Sequence, residues 1–203
     1  METIEVKVYQ FDELNEEAKE KARAWFREGN QNDSFYAESV IDDAKEIGKL
    51  MGIAIDHVYY SGFWSQRDGA CFEGSYAYKK GSLKAIKSEA PQDTELHAIA
   101  EGLATVQKRN FYGISGRVKH SGHYYHSNST QIDLVKSDNQ GYENDLPSDE
   151  DKIVSQLLRD FMDWVYKRLE KAWEWENADE QIDETIRANE YGFTEEGERS
   201  VIL

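Results

Sequence analysis

Three of the five histidines in the chain, His120, His123 and His126, fall within the run His120-Ser121-Gly122-His123-Tyr124-Tyr125-His126. Imidazole titrates near neutral pH and is the commonest metal-ligating side chain, so the cluster first suggests proton transfer or metal coordination. Its spacing is not that of a helical metal motif. Gly122 and the strand-like flanks indicate a hairpin, in which alternate residues share a face. His120 and His126 would then face one way and His123 the other. A polar binding loop that includes Tyr124 is the better reading, and a plain exposed loop is its competitor; no metal or cofactor is assigned.

A second stretch with chemical potential is Phe63-Trp64-Ser65-Gln66-Arg67-Asp68, between the strand-like runs around Tyr59 and Phe72. Two large apolar side chains sit beside four hydrogen-bonding ones in a connection that belongs at the surface. Aromatic anchors interleaved with polar groups are the makings of a recognition surface. The alternative is that Phe63 and Trp64 fold back onto the core while Asp68-Gly69 makes the turn. If both hairpins open at one end of one sheet, Trp64, Gln66 and Asp68 converge with His120, His123 and Tyr124. That set offers stacking, hydrogen bonding and acid–base groups. Arg117 and Lys119 stand nearby to meet phosphates, a combination that suits nucleotides and single strands.

The run Tyr60-Ser61-Gly62-Phe63-Trp64-Ser65-Gln66 followed by Asp68-Gly69-Ala70-Cys71-Phe72-Glu73-Gly74 resembles a family of small acidic proteins from bacteriophages and other mobile elements. Its members are often labelled antitoxins of toxin–antitoxin stability systems. The blocks Lys119 to His126 and Ala188 to Gly197 are similar to later parts of the same family, so the likeness spans most of the chain. Where the family pattern has Gly, this chain has Arg67, which makes the loop tip bulkier and more cationic. The resemblance implies an origin in a mobile element and carries no catalytic residues.

The net charge is −16 over 203 residues, but it is unevenly spread: residues 79–120 carry +4, while 137–203 carry −12. Strong negative charge opposes general binding to double-stranded DNA, whose affinity comes largely from counterion release. Acidic surfaces instead favour basic partners, including the nucleic-acid-binding clefts of other proteins, where they act as a DNA mimic. Cys71 is the sole cysteine, which excludes an internal disulfide and suits a reducing cytoplasm. No apolar run is long enough to span a membrane. No phosphate-binding Gly-rich loop, nucleophile elbow, zinc-protease helix or paired nuclease carboxylates are present, so no catalytic residue is assigned. Three readings stand. The leading one is an inhibitor that binds a basic host protein through its acidic surface and aromatic loop. The others are a nucleotide- or nucleic-acid-binding module and a metal-dependent nuclease.

The elements that position these loops follow from periodicity and punctuation. Ile4, Val6 and Val8 alternate like a strand over 3–9, Asn15 caps a helix that stops at Gly29, and a second helix spans 35–51. Strands at 53–60 and 70–78 flank the aromatic loop. A helix introduced by Asp93 runs to about Asn110, followed by strands at 111–119 and 130–135. Residues 137–148 read as a polar link. From Asp149 a long amphipathic helix places Val154, Leu157, Leu158, Phe161, Val165, Leu169 and Trp173 on one stripe. It breaks near Asn177-Ala178, resumes with Ile182 and Ile186, and leads into a tail with a turn at Glu196-Gly197. The predicted class is α+β: an antiparallel sheet of hairpins covered by helices, with residues 1–136 as the core and 137–203 as acidic linker, helix and tail of the same domain.

Overall fold

A computed structural model describes residues 7–30, 34–138 and 140–200. In order they form β1 (Tyr9–Gln10), a 3-10 turn (Phe11–Glu13), α1 (Glu16–Gly29), α2 (Phe35–Met51), β2 (Ile53–Tyr60) and β3 (Ala70–Ala77). Next come α3 (Ser82–Glu89), α4 (Thr94–Arg109), β4 (Ile114–His120), β5 (Thr130–Ser137), β6 (Glu143–Asp145), α5 (Ser148–Glu176), α6 (Asp179–Ala188) and β7 (Gly192–Phe193). The class is α+β, as the hairpin-and-helix pattern predicts. The chain divides into two compact units, residues 38–170 and residues 1–37 with 171–203.

The larger unit is built on a five-stranded antiparallel sheet in the order β2-β3-β4-β5-β6. One face carries Val58, Phe72, Tyr76, Val118 and Leu134, all buried. The helices cover that face. Phe72 meets Phe161 of α5 edge-on at 6.1 Å between ring centres. Gly48 of α2 lets the Ile53 carbonyl approach, since a Cβ there would lie 2.9 Å from it. Gly102 does the same on α4, where a Cβ would fall 2.8 Å from Leu157. Most of the α5 stripe is therefore core: Val154, Leu158, Phe161 and Leu169 are completely buried, while Leu157 and Trp173 are half-buried. Gly52, at φ 84°, makes the left-handed turn from α2 into β2 that a side chain would strain.

Two sequence expectations need correction, and one element was not anticipated: the segment 82–89, whose apolar residues are only Leu83, Ala85 and Ile86, forms helix α3. Residues Glu143–Asp145, read as link, add a short edge strand to β5. All three are exposed, so no alternation marks them. Phe111 and Tyr112 do not begin β4. Both adopt positive φ, 54° and 64°, in the turn after α4.

In the smaller unit, Asn15 caps α1 by accepting the Ala18 N–H at 2.9 Å. Phe11, Leu14, Ala18, Ala22, Ile182, Ile186 and Phe193 form its core. Arg23 closes it with two 2.7 Å bonds to the Asp183 carboxylate, from Nε and Nη2. The tail turns at Gly197, whose φ of 84° and close approach to the Ala18 carbonyl exclude a side chain. Ile4 and Val6 of the predicted first strand lie outside the described residues, and β1 pairs with β7 instead.

Candidate functional site

The β2–β3 connection, residues 61–69, is held from within. Ser61 N–H donates to the Gly69 carbonyl at 3.0 Å, closing its neck. The Asp68 carboxylate accepts the backbone N–H groups of Trp64 at 3.0 Å and Ser65 at 2.7 Å. Ser65 Oγ accepts the Arg67 N–H at 3.3 Å. Phe63 leaves the loop sideways and stacks on Tyr166 of α5, ring centres 5.5 Å apart, while the Tyr166 hydroxyl donates to the Gly62 carbonyl at 3.0 Å. Burial, and then the charges of Glu170 and Asp68, raise that hydroxyl's pKa. The six residues singled out from sequence therefore divide. Phe63, Ser65 and Asp68 brace the loop, and Trp64, Gln66 and Arg67 are presented. Trp64 is 81% exposed.

The β4–β5 connection, residues 121–129, packs against the first. Arg67 Nη1 donates to the Tyr124 hydroxyl at 3.3 Å, and its guanidinium lies 5.5 Å from the ring. A Cβ on Gly69 would meet the Tyr125 carbonyl at 3.0 Å and the His126 ring at 3.1 Å, so glycine permits the contact. The three histidines fan apart because the connection is an irregular loop, not a continued strand. His120 sits 5.0 Å from Tyr59, with Tyr125 stacked on Tyr59 at 5.3 Å. Beneath them Glu73 accepts the Tyr59 hydroxyl and the His120 N–H, each at 3.1 Å. That bond to Glu73 is the first cause of a raised Tyr59 pKa. His123 packs on Tyr124, at 5.2 Å. His126 Nδ1 accepts the Asn128 N–H at 3.1 Å, which places the neutral ring's proton on Nε2. Among the described residues no three His, Cys, Asp or Glu side chains are grouped to hold a metal ion. Cys71 is buried, and burial pushes its thiol up to about 11.

Beside the joined loops lies a cleft of about 660 Å³ between α4 and α5. Ala98, Ile99 and Leu157 give it an apolar floor, and Asp68, Glu95, Asp160, Asp163 and Glu170 give it acidic walls. Lys167 is the one Lys or Arg among the described lining residues, and it pairs with Glu95 at 2.7 Å. Sequence reasoning named Asp68 and His126 but missed the rest. The signal was there: Asp160, Asp163, Lys167 and Glu170 recur at three- and four-residue intervals, a polar stripe flanking the apolar one on α5.

No helix among the described residues is long and apolar enough to cross a membrane. No curated protein and no solved structure matches the chain. The family described as a domain of unknown function, DUF8835, matches residues 36–179, a span that contains the whole sheet, both loops and the cleft. The chain belongs to that family.

Proposed function

We propose that the protein binds and inhibits a basic protein of a bacterial host, drawing a lysine- or arginine-bearing segment into the acidic cleft and seating it against Trp64. The observation that carries this reading is a largely exposed tryptophan on a braced loop beside five carboxylates and an already paired lysine. Preorganisation matters because the loop's ordering entropy is met during folding and not on binding. An apolar floor with acidic walls suits the alkyl stem and charged head of Arg or Lys. The resemblance to mobile-element proteins makes a host defence or nucleic-acid-handling protein, met in the bacterial cytoplasm, the partner class.

The test is affinity capture from bacterial lysate with the wild-type protein, Trp64→Ala and Asp160→Asn/Asp163→Asn, followed by binding kinetics on the retained partner. Retention of a basic protein by the wild type alone is expected. Trp64→Ala should weaken binding by about 2 kcal/mol, mostly through faster dissociation. Added salt should mainly slow association, because it screens long-range attraction. Equal retention by all three, or tight binding of a nucleotide with no protein partner, overturns the reading.

A further inference from the structure

Helix α4 ends in a turn where Phe111 and Tyr112, two successive non-glycine residues, hold φ of 54° and 64°. Left-handed backbone is costly for a bulky residue, and it persists only where the surroundings impose it. Here they do. The buried Gln107 side chain donates from Nε2 to the Ile114 carbonyl at 2.7 Å, and its Oε1 accepts the Ile114 N–H at 3.2 Å. Tyr112 N–H donates to the Gln107 carbonyl at 2.7 Å, and buried Asn110 reaches the Val106 carbonyl at 3.1 Å. The fold asks for this turn, but it does not ask for phenylalanine. Glycine or asparagine would take the conformation more easily, and Phe111, 84% exposed, contributes almost no burial.

What the turn does is present rings among cations. Tyr112 lies 4.5 Å from Tyr78, ring centre to ring centre, and Lys136 Nζ stands 5.9 Å from the Phe111 ring. Lys108 and Arg109, both exposed, precede the turn, and Lys79 and Lys80 follow Tyr78. Of the neighbouring carboxylates, Glu150 is engaged by Asn110 Nδ2 at 2.6 Å, Asp138 accepts the backbone N–H groups of Gln140 and Tyr142, and Glu143 and Asp145 flank Lys136 from the edge strand. We infer that this turn is a binding surface for single-stranded nucleic acid, in which Phe111 and the Tyr78–Tyr112 pair stack bases and Lys108, Arg109 and Lys136 contact phosphates. Aromatic platforms set among cations are the general means of holding single strands without sequence preference. A flexible strand touches this patch alone, whereas a flat anionic bilayer would also face the acidic remainder of a −16 chain. The site is independent of the cleft and of Trp64: it sits at the opposite end of the sheet, where β3 ends and β4 begins.

Fluorescence anisotropy with labelled oligothymidine and oligouridine, each roughly fifteen nucleotides long, tests it. Binding is expected at low salt, with a log–log salt slope of about −2 for three phosphate contacts. Lys108→Ala/Arg109→Ala should flatten that slope by about 1.4. Phe111→Gly removes the ring while easing the backbone, so it should weaken binding about ten-fold or more with thermal stability kept or raised. Trp64→Ala should leave oligonucleotide binding unchanged. No anisotropy change at the lowest salt, equal affinity of Phe111→Gly, or adsorption to phosphatidylserine vesicles without oligonucleotide binding each overturns the inference.

Discussion

Replacing Gln107 with leucine tests how β4 is attached to α4. Gln107 is 1% exposed, and its amide satisfies both backbone groups of Ile114 and donates to the Tyr76 hydroxyl at 3.1 Å. Leucine keeps the volume and removes all three bonds. The Tyr76 hydroxyl can rotate, but the N–H and C=O of Ile114 cannot. Each orphaned buried group costs about 1–3 kcal/mol. Burying a leucine in place of an amide offsets roughly 1 kcal/mol of that. The net expectation is a loss of about 1–5 kcal/mol, a large part of the 5–15 kcal/mol that holds a typical domain. Urea titration followed by tryptophan fluorescence would show it as a lower midpoint with unchanged slope. Gln107→Glu should lose more at neutral pH, because a carboxylate cannot donate to the Ile114 carbonyl and is desolvated there. Its deficit should shrink as pH falls through the raised folded pKa of that carboxyl. A loss below about 1 kcal/mol for Gln107→Leu would refute the reasoning, since Ile114 would then have other partners.

Three further outcomes are expected. Phe161→Ala should destabilise by about 3–5 kcal/mol in the same urea assay, because the ring is completely buried between Phe72 and the stacked Trp164; a loss under 1 kcal/mol would place the stripe outside the core. Burial alone would raise the Asp93 carboxyl, but the Leu96 N–H, the Trp164 indole and the Arg168 charge outweigh it and hold the pKa low. Its stabilisation is therefore present at neutral pH and lost as pH falls below about 4, so Asp93→Asn should be less stable at pH 7 with a gap that closes in acid; a gap constant with pH would contradict this. Native Cys71 should react slowly with a thiol reagent, because it is buried and its thiol is pushed up to about 11; labelling as fast as in urea would contradict this.

Legibility tracked the strength of local pattern. Helix α2 and strand β2 stand where periodicity and punctuation place them, because Gly52 separates a 3.6-residue repeat from a two-residue one. Asn15 announced α1 because a cap is a local device whose partner, Ala18, is three residues away. The misses depended on distant partners. Residues 143–145 are a strand only because β5 offers an unpaired edge. Phe111 looked like the start of a strand because aromatic residues favour strands, and nothing local reveals that Gln107 will take the place of a strand neighbour for Ile114. The site was half legible in the same way. The two loops could be named from composition, and their meeting through Arg67–Tyr124 and Gly69–His126 follows once both hairpins share a sheet. Whether Phe63 would be displayed or docked turned on Tyr166, about a hundred residues away in sequence, so the loop alone could not tell brace from bait.

Net charge is a poor guide to what such a chain binds, and the sheet explains why. The braced loops and acidic cleft lie where β2 ends and β3 begins; the cationic ring-bearing turn lies where β3 ends and β4 begins. An eight-residue strand separates the two ends by roughly 25 Å. Screening at physiological salt acts over about 8 Å. Each end is therefore met by a ligand as its own local field, and the −16 of the whole chain neither forbids phosphate contact at one end nor guarantees a basic partner at the other. What the separation does impose is orientation. On the proposed reading, a basic partner approaching along the long-range attraction would be drawn to the cleft and repelled from the Lys108–Arg109 end, so encounters would begin with Trp64 facing it. Reversing the cationic end, by Lys108→Glu/Arg109→Glu, should then leave dissociation from that partner unchanged and lower the fraction of productively oriented encounters. A change in dissociation instead would mean that the two ends meet one continuous surface.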